Sequence, residues 1–296
     1  MVNIAIAGGS SQPPSPFPYP PIVTWFQTDY SPSALTTALT SHTIHTVLSF
    51  TDARHDPHGA SQIALIKSCL GARVRRFAPA EWSVSHTPAA LDDGKAPIRA
   101  YLQEINTPVT QLEYCLFQPG LFMNYLAAPN PTGARYIRQL QTWFDLGNRR
   151  AIVIEGEEDT ARISWTTVQD LAGVVARAVE YEGVWPTVGG MCGGELTARE
   201  LIELGERIRG GKFEVTRLKR GDVERGEIRS DWVPILEHPS IPEEMREVFS
   251  RAYVQHALLE GMHGGFSVGD EWNRIFPDYK FTSPEEFLKA AWDGKP

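Results

Sequence analysis

Over the first 120 residues, short apolar runs alternate with amphipathic stretches, and this alternation predicts strands that feed helices. Residues 2–7 are apolar and end at Gly8-Gly9-Ser10, the pattern of a buried strand entering a tight turn. Residues 22–27 predict a second strand, and Ser31-Pro32 offers a cap and a first-turn proline for a helix that carries Leu35 and Leu39. Strands over 44–50 and 74–78 flank a helix over 62–70. A helix over 95–104 then precedes a strand over 111–118 that stops at Pro119-Gly120. Strands and helices in strict alternation with short links predict a parallel sheet covered on both faces.

One stretch breaks this rhythm. Six of the nine residues from Pro13 to Pro21 are proline, which lacks the amide donor and clashes with a preceding helical turn, so the turn after the first strand cannot open a helix there. An extended, polyproline-like connection is expected instead.

Beyond about residue 150 the pattern is mixed. Strands are expected over 151–154, 162–165 and 212–218, with helices over 168–181, 197–209, 243–260 and 284–292. In the first of these helices Val168, Leu171, Ala172, Val175 and Val179 follow the spacing of one face, and Thr167 with Asp170 resembles a capping box.

Composition narrows the classes. Apolar residues make up 42% and charged residues 22% of the 296, an ordinary globular balance, and the net charge of −8 argues against nucleic acid as a partner. The basic knots Arg73-Val74-Arg75-Arg76 and Arg217-Leu218-Lys219-Arg220 are short and read as solvated strand ends. Three scattered cysteines, Cys69, Cys115 and Cys192, fit buried thiols in a reducing compartment rather than a disulfide framework. With no apolar run of bilayer length and no signal-peptide pattern at the start, no membrane partner is expected and the location expected is cytoplasmic.

Parallel sheets hold ligands at the carboxyl ends of their strands. The candidate rim is therefore Gly8-Gly9-Ser10, Asp29-Tyr30, Ser49-Phe50-Thr51, residues 78–82 ending in Glu81-Trp82, and residues 118–122 with Pro119, Gly120 and Phe122. The eight histidines form no metal-binding ladder, and Arg54-His55-Asp56-Pro57-His58 lies where a loop and helix cap belong, so no metal is expected. The serines lack a nucleophile-elbow context.

Several of these segments carry a resemblance. Val47-Leu48-Ser49-Phe50, Arg76-Phe77-Ala78-Pro79-Ala80-Glu81-Trp82 and Gln118-Pro119-Gly120-Leu121-Phe122-Met123-Asn124-Tyr125 are similar to NmrA-like and isoflavone-reductase-like proteins of fungal type. In the second half, residues 188–197, 211–215 and 270–281 are similar too. The resemblance covers about residue 22 to the end and places the chain beside the short-chain dehydrogenase superfamily. It implies an α/β, Rossmann-like doubly wound parallel sheet over 1–155, with a smaller mixed α/β substrate lobe over 156–296, some segments of which return to the main sheet. It also implies NADP(H) and reduction of a small organic carbonyl or conjugated substrate in secondary metabolism, by a monomer or homodimer.

Family members carry a glycine-rich turn through which the pyrophosphate approaches the backbone and a helix N-terminus. This chain keeps only Gly8-Gly9, and the resemblance implies that its first helix and second strand are replaced by the proline-rich link. The resemblance carries Lys95 across as the active-site lysine. The tyrosine that precedes such a lysine by four residues in general dehydrogenases is Leu91 here. Lys95 reads either as a donor to ribose or substrate or as a solvated lysine at a helix start. Glu81 is an acid–base candidate, and Trp82, Phe122, Asn124, Tyr125 and His263 are pocket candidates, with a packed loop as the alternative for Glu81 and Trp82. Asp29 fits a ribose-binding acid, an acid near the adenine, or a helix cap. Besides a reductase, a cofactor-independent isomerase or cyclase and a non-catalytic dinucleotide sensor remain open.

Overall fold

The computed structural model describes residues 2–8, 23–51, 56–85, 94–130, 133, 136–237 and 241–295. Gly9, Ser10, the proline tract, Leu91, His55, His86 and His238 lie outside the described residues. The chain divides into two compact units. The first comprises Met1–Trp82, Asp92–Phe117 and Ala176–Gly189; the second comprises Ser83–Leu91, Gln118–Val175 and Gly190–Pro296. The second is the larger, and residues 176–189 belong to the same unit as the N-terminal sheet.

The first unit is built on β1 (Ile4–Ala7), β2 (Thr46–Ser49), β3 (Arg76–Ala78) and β4 (Glu113–Tyr114), side by side in that order and all parallel. Its helices are α1 (Pro32–Ser41), α2 (Ala60–Gly71) and α3 (Ala96–Ile105). Val47 and Phe77 of the two central strands are fully buried against Leu35 and Leu39 of α1, Leu65, Ile66 and Cys69 of α2, and Ile98 and Leu102 of α3. Ser31 caps α1 through its side-chain oxygen, which accepts from the Ala34 amide, with Pro32 at the first helical position, as the sequence predicts.

The strand expected over 22–27 is not formed where the chain is described. Residues 23–27 are irregular and exposed, Trp25 by 56%, and β1 pairs directly with β2. An apolar run becomes a strand only where a neighbouring strand takes up its amides and carbonyls in a ladder, and among the described strands β1 is paired with β2. Along β1, Ala5 and Ala7 pack on the core while Ile4 and Ile6 face solvent, Ile6 by 63%. The strand expected over 111–118 is interrupted at Cys115: Glu113–Tyr114 pairs with β3, whereas Leu116–Gln118 pairs with Val188–Gly190.

In the second unit, Arg162–Thr166 lies between Gly194–Thr197, antiparallel to it, and Leu121–Phe122, parallel to it. A second three-stranded sheet places Arg150–Ile154 between Glu214–Leu218, parallel, and Phe144–Asp145, antiparallel. Both enclose one apolar core with Trp165, Ile152, Leu201, Val254 and Leu288. Helices Ala198–Arg209 and Pro284–Trp292 open with full capping boxes, Thr197 with Glu200 and Ser283 with Glu286. The helix Val168–Glu180 buries Leu171, Val174, Ala178 and Val179 and exposes Ala172, a face rotated from the expected one. Among the described residues no helix is long and apolar enough to cross a membrane.

Candidate active site

The carboxyl ends of β1, β2 and β3 assemble part of the expected rim. Phe50 donates its amide to the Ala7 carbonyl at 2.8 Å. Gly8 follows at φ +88°, and a Cβ there would fall 2.7 Å from the Phe50 carbonyl carbon and oxygen, so the turn requires glycine on both counts. Tyr30 lies against the same turn. Burial pushes its phenol up, with the Gly8 backbone amide opposing. The Ser49 and Thr51 hydroxyls are 3.0 Å apart. Gly8, Tyr30, Ser49, Phe50 and Thr51 are thus brought together.

Asp29 stands two residues before the Ser31 cap of α1. It is exposed, its carboxylate accepts from the Ser31 amide at 2.9 Å, and hydrogen bonding from Ser31 holds its carboxyl below the ordinary value.

After β3 the chain turns through residues 79–82. Ala80 donates its amide to Gln62 Oε1 at 2.9 Å, and the Glu81 amide bonds the Pro79 carbonyl at 2.7 Å. Glu81 is only 3% exposed; its carboxylate meets Arg99 Nη1 at 2.9 Å, while its carbonyl accepts from Lys95 Nζ at 2.8 Å. Lys95 and Glu81 therefore share one cluster, with Arg99 as a third member that the sequence reading missed. Its signal was the four-residue spacing from Lys95, which puts both on one face of α3.

Trp82 sits at φ +36°, a conformation costly for a bulky residue. Its indole Nε1 donates to the Ser49 carbonyl at 2.6 Å, and its ring lies between two others. Phe50 stacks at 4.6 Å and 5°, Phe117 at 5.3 Å and 16°, and Trp185 meets the Phe117 edge at 5.4 Å. Phe50, the end of the stack, is 44% exposed.

The remaining candidates lie in the second unit. Gly120, at φ +68°, packs so closely on Ser164 that a Cβ would fall 2.3 Å from its carbonyl oxygen. Pro119 precedes it, and Phe122 meets Tyr125 edge-on at 6.0 Å. Burial pushes the Tyr125 phenol up. Asn124 is fully buried, and its amide group is spent at the start of helix Val168–Glu180. Oδ1 accepts from the Val168 amide at 2.9 Å and Nδ2 donates to Gln169 Oε1 at 3.2 Å. His263 is exposed at the end of helix Arg246–Met262, with Nδ1 2.7 Å from the Leu259 carbonyl oxygen. An apolar pocket of about 420 Å³, counted out to open solvent, is lined by Trp143, Ile154, Ile163, Leu258, Met262 and Phe266 among others. Its lining includes none of these candidates. Among the described residues no three metal-ligating side chains cluster.

No protein-family model matches the chain. It is 24% identical over 185 residues to the oxidoreductase swnN of Metarhizium robertsii, covering 62% of this chain and 52% of that protein. To the oxidoreductase BOA1 of Botryotinia fuckeliana it is 27% identical over 188 residues, 62% of this chain and 61% of the other. The chain therefore spans between half and two thirds of these relatives. Among solved structures it superposes on isoflavone reductase with a TM-score of 0.61 at 18% identity, covering 89% of this chain and 80% of that one. It also superposes on the leucoanthocyanidin reductase–NADPH complex of Vitis vinifera with a TM-score of 0.60 at 15% identity, covering 88% and 80%. What the chain shares with these reductases is a mixed α/β, Rossmann-like fold built on a parallel sheet.

Proposed function

We propose that the chain is an NAD(P)H-dependent oxidoreductase acting on a small organic carbonyl or conjugated substrate, in the cytoplasmic secondary metabolism of its source. The observation that carries this reading is the rim: Gly8 folded onto Phe50, the Ser49 and Thr51 hydroxyls, and the Lys95–Glu81–Arg99 cluster, at the carboxyl ends of parallel strands where doubly wound sheets hold dinucleotides. The relatives named oxidoreductases and the shared fold with an NADPH-bound reductase support it.

The described residues fit the ring-and-ribose end of the cofactor. Gly8 lets the turn close on Phe50, Thr51 brings a hydroxyl, and the exposed Phe50 face suits a planar ring. Nicotinamide, when bound, supplies the hydride. Lys95, whose Nζ donates to the Glu81 carbonyl, would bind a ribose hydroxyl and orient the ring. Glu81, paired to Arg99, would hold that lysine's carbonyl anchor in place rather than exchange protons with the substrate. Titration of the purified protein with NADPH and NADH should show one of them binding below millimolar concentration. Absence of binding by either at millimolar concentration would overturn the reading.

A further inference from the structure

Phe50 is set up in a way that burial alone does not explain. One face of its ring rests on Trp82, nearly parallel at 4.6 Å, while the residue keeps 44% of its surface in solvent. Trp82 beneath it is held from several directions: Nε1 on the Ser49 carbonyl, the Phe117 ring on its far face, and a backbone at φ +36°. Its preceding residue, Glu81, is clasped by Lys95 and Arg99, and Ala80 is tied to Gln62. Phe50 itself is tethered by its amide to Ala7 and by the close packing of Gly8 on its carbonyl. A strained residue persists only where the surroundings over-determine it, and such strain collects at ligand sites. Here the over-determined product is a rigid aromatic stack whose last ring is open at the carboxyl end of β2.

We infer that Phe50 is the receiving face of this stack and takes the planar heteroaromatic ring of a nucleotide, extending the order Phe117–Trp82–Phe50 by one ring. Every nucleotide base has a π-face, and stacking on a fixed aromatic side chain costs little ordering because the platform does not move. The half-buried Thr51 hydroxyl, one residue on, stands beside the platform for a ribose or ring substituent. The choice of a nucleotide rests on the dinucleotide reading above, whereas the platform itself rests on the stack. Two rings share this chemistry, a pyridinium and a purine.

The test titrates the full chain separately with nicotinamide mononucleotide and with AMP, in the wild type, Phe50→Leu and Phe50→Trp. Phe50 is half exposed, so both variants keep the core, which a near-ultraviolet circular dichroism spectrum checks. One mononucleotide should bind the wild type, about tenfold more weakly to Phe50→Leu, and with wild-type affinity or better to Phe50→Trp. If the ring is the pyridinium, Phe50→Trp should also show a new long-wavelength charge-transfer absorbance with nicotinamide mononucleotide. If it is the purine, AMP binding alone should follow the substitutions. Equal affinity in the wild type and Phe50→Leu for both probes, or no binding of either, would overturn the inference. NADPH binding unaffected by Phe50→Leu would sink the platform and leave the reductase reading standing. Phe50-dependent mononucleotide binding without NAD(P)H binding would do the reverse.

Discussion

A guanidinium that is 1% exposed must find partners for its donors, and Arg76 finds them in the carbonyls that follow helix Val168–Glu180. Nη1 donates to the Tyr181 carbonyl at 2.6 Å and Nη2 to the Gly183 carbonyl at 2.5 Å. Nε lies 3.2 Å from Glu113 Oε1, an ion pair without hydrogen-bond alignment, and the Trp185 ring sits at 5.1 Å. Glu113 in turn accepts from the Trp185 amide at 2.6 Å. Arg76→Met should therefore lower unfolding stability by about 3–5 kcal/mol, because it takes the buried guanidinium from two carbonyls and leaves Glu113 with only the Trp185 amide and the exposed Arg75; a urea titration reads this, and Glu113→Gln in the same background should recover part of it. The sequence put Arg76 among solvated strand ends. That holds for its neighbour Arg75, which is exposed, but strand alternation turns Arg76 inward, and a run of four residues does not reveal which of two adjacent arginines faces the core. Glu81 and Arg99 form the second buried pair. A double-mutant cycle with Glu81→Gln and Arg99→Met should return a coupling of about 1–3 kcal/mol, and a coupling near zero would show that the clasp does not hold the Trp82 turn.

At the scale of elements, what could be read in advance was whatever had local causes. Ser31-Pro32 is a start signal whose hydrogen bond closes within four residues, and α1 begins where it stands; the helix expected from residue 197 is opened by an equally local box of Thr197 and Glu200. Thr197→Ala and Ser283→Ala should each cost about 1 kcal/mol, measured by urea unfolding, since each removes the acceptor for an otherwise orphaned helix amide. Elements decided by a neighbour were not legible. The helix Val168–Glu180 has apolar residues on two overlapping stripes, and only the packed chain selects the stripe of Leu171, Val174 and Ala178. Residues 23–27 look like a strand by composition and join none of the described sheets. Of the rim candidates, Gly8, Ser49, Phe50, Thr51, Glu81 and Trp82 were reachable because strand ends in parallel sheets converge, whereas Lys95 came only through the family resemblance and Tyr30 through a strand that does not form. Gln62 arrives from a helix face that strand ends do not point to, and Arg99 carries only its four-residue spacing from Lys95.

Across the whole molecule, the pH range of stability follows from groups that folding moves away from their ordinary values. Burial pushes the Cys69 thiol up from 9.0 to about 12, so the folded chain keeps this proton where the unfolded chain has released it. A group raised in this way contributes stability that is complete below the unfolded value and is lost as pH climbs through the folded one. The loss therefore belongs to the window from about 9 to 12. Burial also raises the phenols of Tyr30 and Tyr114 from 10.0, which steepens the upper part of that window. On the acid side the sign reverses. Burial opposes ionisation of Glu195, but the hydroxyls of Ser164 and Ser267, each 2.8 Å from Oε1, together with Arg162, hold its carboxyl below 4.5. Its contribution is present above that value and disappears as pH falls below it. Urea midpoints measured at pH 7, 9 and 10.5 should be level between the first two and lower at the third. Cys69→Ala should shrink the drop from pH 9 to 10.5, where the tyrosines contribute least. An undiminished drop in Cys69→Ala would assign the alkaline loss to the tyrosines alone and would mean that the Cys69 thiol is not sealed in the core beneath β2 and β3.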